Sequence, residues 1–349
     1  MDTHSKIPLA FSRRSELYRK TQIVLAGDVG GTKTNLALFQ ATENSVDLIH
    51  EETYHSANYS SCIDIVKQFL AENQEIKPGR VCLGVAGPVM QGKVAITNLS
   101  WSFGLEDLYK ATSADAVALI NDLEATAYGL AALDQEDFIT IHEGAADSGG
   151  NMAIIAPGTG LGEAGLYWDG ASYHPFPTEG GHTDFSPRTE LDIELYRYLQ
   201  KKYEIVSWEK IIAGPAIHDI YLFLCEIKKK KEADWVKDAF VHEDPSAVIS
   251  QAALEKKDQV CSETMQLFVR YLARESANLV LKMKATGGLF LGGGIPPKIA
   301  PLLQENVFYN NFLDCDRMQH LVSKVPLRII LNSKAALLGA AYYGAYGGE

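Results

Sequence analysis

The sequence predicts an α/β protein built of two related halves that face one another. Three observations carry this. Two stretches, "QIVLAGDVGGTKTNLALF" and "NMAIIAPGTGLGEAGLYWDG", share one form: an apolar strand, a Gly/Thr turn and a second alternating strand. Around them, apolar strand-like runs alternate with segments of helical spacing. The 349 residues suffice for two cores, and no low-complexity linker cuts the chain, so the boundaries fall in short loops.

The elements follow in order. Residues 1–21 are polar and form an extension before the first strand. Arg13 and Arg14 make a twin-arginine pair, but the apolar segment of an export signal does not follow them. "IVLAGDVGG" is an apolar strand ending in glycines, and "TNLALFQ" and "SVDLIHEETY" alternate like strands that pair with it. "CIDIVKQFLAEN" has helical spacing, "RVCLGVAGPV" and "AVALIND" are buried strands, and "LEATAYGLAAL" is a helix. The pattern restarts near Asn151. From Glu190 to Val280 the spacing is mostly helical, with Lys228 to Lys231 as a solvated helix end. "GGLFLGGGIPPKI" is a third strand-to-glycine element opening a helix. In "NSKAALLGAAYYGAYGG", Asn332 or Ser333 caps a last helix whose small residues permit close packing.

Composition narrows the function. The formal net charge of −12 argues against a nucleic-acid surface, which calls for Lys/Arg patches. The five cysteines, Cys62, Cys82, Cys225, Cys261 and Cys315, are scattered without CxxC spacing. That favours reduced thiols in a cytoplasmic protein over a disulfide scaffold or zinc site. No apolar run reaches the roughly 18 residues that cross a membrane.

Each of the three glycine elements follows an apolar strand and exposes backbone N–H groups, the arrangement of an anion-binding concavity. Neither a Walker G-x-x-x-x-G-K-[ST] motif nor a G-x-G-x-x-G fingerprint after the first strand is present. Two Gly-Thr hairpins instead suit a polyphosphate held from both sides, with Thr32 and Thr159 adding hydroxyls. Asp28 ends the first strand beside the glycines. A carboxylate next to phosphates is unfavourable unless a cation separates them, so Asp28 points to Mg²⁺, bound through water.

Two further segments gather polar groups. Asn121 and Asp122 end a strand and open a helix. Asp there is a good N-cap, yet phosphoryl transfer to an alcohol also needs a carboxylate that takes the hydroxyl proton. "TEGGHTDF" collects Glu179, His182 and Asp184 around two glycines, a set suited to the hydroxyls of a neutral polyol. Its Glu-x-x-His spacing also suits a metal pair, for which no third ligand has sensible spacing. Glu209 in "VSWEKIIAGPAI" is a lone carboxylate.

Together these motifs resemble the bacterial glucokinase family of the hexokinase and actin-like ATPase superfamily, from Ile23 to Tyr343. "GDVGGTKTNLAL" is similar to its first phosphate motif, "TNLSW" to a sugar-loop segment and "INDLEA" to the catalytic aspartate motif. "APGTGLGEA" resembles the second phosphate motif, "TEGGHTDF" the glucose loop, "WEKIIAGPAI" the third sugar segment and "GGLFLGGGIPPK" the adenosine motif. The cysteine-rich zinc motif of the related repressor/open-reading-frame/kinase (ROK) family is absent.

The resemblance implies two actin-like (ribonuclease H-like) α/β domains with a central cleft. The small domain covers 22–132, the large one 133–332, and the helix of 333–349 packs back on the small domain. It implies ATP-dependent phosphorylation of D-glucose at the 6-hydroxyl in a cytoplasmic homodimer, with ATP and Mg²⁺ and no nucleic-acid or membrane partner. Asn98, Asn121, Asp122, Glu179, His182 and Glu209 would bind the sugar, with Asp122 as base. Gly27, Asp28, Val29, Gly30, Gly31, Thr32, Gly158, Thr159, Gly160, Gly293 and Gly294 would hold the nucleotide. The role of Lys33 stays open. The rivals are a kinase for another hexose or amino sugar, a sugar sensor without kinase activity, and a chaperone-like or filament ATPase of the same fold.

Overall fold

The strands of the first half are β1 (Gln22–Val29), β2 (Lys33–Ala41), β3 (Val46–His55), β4 (Arg80–Val85), β5 (Val89–Met90), β6 (Lys93–Ile96), β7 (Trp101–Gly104) and β8 (Ala116–Asn121). Those of the second are β9 (Phe138–His142), β10 (Met152–Pro157), β11 (Leu161–Trp168), β12 (Tyr173–Thr178), β13 (Gly288–Leu291) and β14 (Leu327–Ile330). The computed structural model describes residues 7–11, 21–43, 45–96, 99–145 and 149–347. Arg13, Arg14 and Asn98 lie outside these, as does most of the expected extension. The chain divides into two units, one of residues 1–135, 166–177 and 332–349, the other of 136–165 and 178–331.

In the first unit the sheet order is β3-β2-β1-β4-β8. β1 and β2 form an antiparallel hairpin, β3 extends it antiparallel, and β4 and β8 continue parallel to β1. Alternation along the strands explains its two packed faces. Leu25, Leu36, Leu38 and Leu83 point to one side, towards Ile65 and Phe69 of the helix Cys62–Glu72. Val24, Ala26, Ala37 and Cys82 point to the other, towards Leu337 and Ala341 of the helix Ala335–Tyr346. That helix lies close on its neighbours because of its glycines. A Cβ at Gly339 would overlap Ala125 O, and one at Gly129 would overlap Ala335 O. Burying large apolar side chains on both faces is the main source of stability, at about 1.5–3 kcal/mol for each fully buried side chain. Residues 8–10 are tied to Tyr173 by two backbone hydrogen bonds of 2.8 Å, and Phe11 stacks on Tyr128 at 5.7 Å.

The second sheet has the order β12-β11-β10-β13-β14-β9. β10, β13 and β14 run parallel, and β9 closes the edge antiparallel to β14. Its first five strands repeat the order of the other sheet, as the two similar sequence stretches predict. One large core centres on the buried helix Gln259–Met283. Three local details differ from expectation. The last helix starts at Ala335 behind Lys334, while Asn332 Oδ1 accepts the Lys334 N–H at 2.9 Å, so neither Asn332 nor Ser333 is its cap. After β13, Pro296 and Pro297 delay the next helix to Ala300–Leu303. The small β5-β6-β7 sheet carries too few residues to show as a pattern.

Candidate active site

In the first unit the β1–β2 turn is closed by the Gly30 N–H donating to Lys33 O at 2.9 Å. Its carbonyls are tied back from the next strand: Ser56 Oγ donates to Gly30 O at 2.8 Å and the Ser56 N–H to Thr32 O at 3.0 Å. Neither the Gly31 nor the Thr32 N–H has a partner among the described residues, and the Thr32 side chain is exposed. A Cβ at Gly31 would meet nothing within 4 Å. The turn is therefore a donor-rich, side-chain-free surface, the form that holds an anion. Gly27 has a different reason to lack a side chain. A Cβ there would meet Leu83 Cδ2 at 2.5 Å and Leu36 Cδ2 at 2.8 Å, so it serves sheet packing. Val29 is buried, paired with Thr34 and Val85.

Asp28 stands beside Asn35, whose Oδ1 accepts from Thr53 Oγ1 at 2.8 Å. That bond turns the Asn35 amide nitrogen to Asp28. Burial pushes the Asp28 carboxyl up to about 6, with the Asn35 hydrogen bond pulling the other way.

Asn121, not Asp122, caps the helix Asp122–Gly129. Its Oδ1 accepts the N–H groups of Leu123 at 2.9 Å and Glu124 at 3.3 Å, and its Nδ2 donates to Gly87 O at 3.1 Å. One amide hydrogen of Asn121 remains beyond these bonds. Asp122 is the first helical residue, where the helix dipole favours negative charge, and its Oδ1 accepts the Leu123 N–H at 2.9 Å. The helix comes close to β4 because Gly84 lacks a side chain: a Cβ there would lie 2.9 Å from Ala125 Cβ.

In the second unit the β10–β11 turn repeats the first. The Gly158 N–H donates to Gly160 O at 2.8 Å, and Gly158 O accepts from the Gly214 N–H at 2.7 Å. The Thr159 side chain is exposed and its N–H has no partner among the described residues. Gly293 has φ of 80°, and a Cβ there would come 2.6 Å from Pro157 O, so only glycine fits. A Cβ at Gly294 would meet nothing within 4 Å. Gly158, Thr159 and Gly294 line one cavity of about 880 Å³ with Gly214, Ser246 and Lys298. The last three were not singled out in the sequence. The Gly-Pro pair opening the helix Gly214–Glu226 is the signal that marks the first of them.

Glu179 and His182 flank the short turn Gly180–His182, and both side chains are exposed. The two intervening glycines are needed for close approach: a Cβ at Gly180 would overlap Glu163 Oε2, and one at Gly181 would overlap Leu161 O. The loop then runs beside the segment carrying Glu209. The Phe185 N–H donates to Val206 O and the Trp208 N–H to Thr183 O, each at 3.0 Å. Phe185 meets Trp208 edge-on at 5.0 Å. Arg274 fixes the outgoing end, donating to Ser186 O at 3.0 Å and to Asp192 at 2.7 Å.

Glu209 thus stands on the same framework. Its Oε1 pairs with Lys210 Nζ at 2.8 Å and its Oε2 accepts the Leu161 N–H at 3.3 Å. Burial raises its pKa, but the Lys210 ammonium and hydrogen bond outweigh it and hold the carboxyl below its ordinary value, with His182 assisting.

Two α/β sheets that share a five-strand order, with glycine turns after β1 and β10, have the architecture of the actin-like sugar kinase fold. A solved glucokinase from an Antarctic psychrotroph is 32% identical, with a TM-score of 0.80, covering 93% of this chain and 99% of its own. The glucokinase of Balamuthia mandrillaris, solved in complex with glucose, shares the fold with a TM-score of 0.78 at 21% identity, over 95% of this chain and 97% of its own. The glucokinase of Nostoc punctiforme is 38% identical over 337 residues, 93% of this chain and 99% of that protein. The glucokinase family model matches residues 25–346. The chain belongs to the glucokinase family, the enzymes that phosphorylate glucose with ATP.

Proposed function

We propose that this chain transfers the terminal phosphate of ATP to the 6-hydroxyl of D-glucose, with Asp122 taking the hydroxyl proton. The observation that carries the nucleotide half is the 880 Å³ cavity, where residues of the second phosphate motif and of the adenosine motif meet. Asn121 supports the acid–base half by making the cap bonds to Leu123 and Glu124, so the cap role that Asp122 could have had by residue type is already filled.

The Gly31 and Thr32 N–H groups and the Thr159 N–H hold phosphate oxygens, and Gly294 leaves room for the nucleoside. Asn121, Glu179, His182 and Glu209 take the sugar hydroxyls, with Asn98 expected among them. The protein's share is positioning and charge stabilisation, as phosphoryl transfer requires. Asp28, a half-buried residue whose carboxyl is held up by burial and faces no cation among the described residues, fits a Mg²⁺ site held through water. When bound, Mg²⁺ neutralises phosphate charge. The five cysteines are free thiols, which suits a cytoplasmic setting. The homodimer belongs to the same proposal and is tested by light scattering. Among the described residues, no helix is long and apolar enough to cross a membrane.

The test is a panel of hexoses and amino sugars with ATP, ADP or polyphosphate as donor, with and without a chelator. Glucose with ATP should give the highest kcat/KM, and activity should vanish on chelation and return with Mg²⁺. A clear preference for another sugar would overturn the substrate assignment.

A further inference from the structure

Behind the Glu179–His182 turn lies a buried acid that the proposed chemistry does not use. Glu163, on β11, is 1% exposed, and no donor among the described residues reaches either carboxyl oxygen, which leaves Glu275 as the partner of its protonated form. Its side chain lies directly under the backbone of Gly180, where a Cβ would overlap Oε2. Its backbone clasps the same turn: Thr178 Oγ1 donates to Glu163 O at 3.1 Å and accepts the Gly180 N–H at 3.2 Å. A movement of the Glu163 carboxyl therefore reaches Gly180, where the turn begins.

The charges around Glu163 do not balance. Glu275, on the helix Gln259–Met283, faces it and is 0% exposed. Lys282 Nζ donates to Glu275 Oε1 and Asn278 Nδ2 to its Oε2, at 2.7 and 2.8 Å. The single ammonium is thus committed to Glu275. The turn's own ionisable groups, Glu179 and His182, are exposed. Two buried carboxylates sharing one cation cannot both ionise cheaply. Burial, then the Glu275 charge, pushes Glu163 up to about 7, with Lys282 opposing.

We propose that Glu163 is a positioning residue for the sugar-binding turn: its neutral form seats Gly180 against β11, and its ionisation displaces the turn and weakens glucose binding. This rests on the assignment of Glu179 and His182 to the sugar. Thr178 and the two glycines make the coupling direct, because no side chain cushions Gly180 from the carboxyl.

The experiment compares wild type with Glu163→Gln, which imitates the neutral acid and cannot ionise. Glucose KM, ATP KM and kcat are measured from about pH 6 to about pH 8.5, spanning the Glu163 transition. Hydrogen exchange of the Gly180–Thr183 amides is read at both ends of that range. In wild type, glucose KM should rise roughly three- to tenfold across it while ATP KM stays level. In Glu163→Gln, glucose KM should hold its low-pH value. Any other group that titrates in this range would act alike in both proteins. At the upper pH, turn amides should exchange faster in wild type than in the variant. Coincident exchange and KM profiles would overturn the proposal. Faster exchange with an unchanged glucose KM would instead overturn the sugar assignment of the turn and leave its coupling to Glu163 standing. Should Glu163→Gln fail to fold, Glu275→Gln gives a second test. Removing the neighbouring charge should move the KM transition to lower pH, and an unmoved midpoint overturns the coupling.

Discussion

Glu209 Oε2 accepts the backbone N–H of Leu161 at 3.3 Å, on the strand that leaves the second glycine turn. A Cβ at Gly160 would come 2.7 Å from the same oxygen. A carboxylate proposed to bind the sugar is therefore also part of the support of the phosphate turn. Its ion pair with Lys210 keeps it charged without help from a ligand.

Glu209→Gln should accordingly affect both substrates. The amide retains an acceptor for Leu161 but loses the charge, so glucose KM should rise about tenfold and ATP KM a few-fold. Glu179 is exposed and makes no hydrogen bond to the phosphate turn. Glu179→Gln should therefore lower glucose affinity by roughly one to two powers of ten and leave ATP untouched. Steady-state kinetics with each substrate varied separates them. Equal effects of the two substitutions on ATP would contradict the placement of Glu209.

Asp28 links function to stability with a definite sign. Its carboxyl titrates near 6 in the folded chain, against an ordinary 3.8, so the folded state holds the proton longer than the unfolded one. The penalty is absent below about pH 4, grows as pH rises from about 4 to about 6, and is complete above that. Asp28→Asn should therefore raise Tm at pH 8, by at most about 3 kcal/mol of stability, with no gain at pH 4. The same variant should lose most activity. A lower Tm at pH 8 would show that Asp28 stabilises the turn rather than waiting for a cation.

The glycines divide into two testable groups. Gly31 faces open space, so Gly31→Val should keep its Tm and raise ATP KM far more than glucose KM. Gly180 has no such room, and Gly180→Ala should lower Tm and weaken glucose, because the new Cβ must displace Glu163. Thermal melts and both KM values on each variant check the division.

The two sheets and their glycine turns were legible in the sequence because an alternating strand interrupted by Gly-Gly-Thr or Gly-Thr-Gly leaves a local mark. What escaped depends on contacts distant in sequence. Nothing near Gly27 reveals that Leu36 and Leu83 occupy the space of its side chain. Asn121 and Asp122 are both good caps by type, and only the backbone geometry chooses Asn121. In "GGLFLGGGIPPK" the prolines hide a run of turns behind a helix-like start. Glu163 reads as an ordinary polar residue in an alternating strand. Its burial is set by Glu275, more than a hundred residues later, and by the loop laid over it.

The proposed reaction turns on Asp122 taking the proton of the sugar hydroxyl. Because Asn121 makes the cap bonds to Leu123 and Glu124, Asp122→Ala should leave Tm within a few degrees and glucose binding measurable by calorimetry. Single-turnover phosphorylation should then fall by roughly 10²- to 10⁴-fold. A rate within a few-fold of wild type, at unchanged glucose Kd, would contradict the account and reduce Asp122 to a helix-terminal carboxylate.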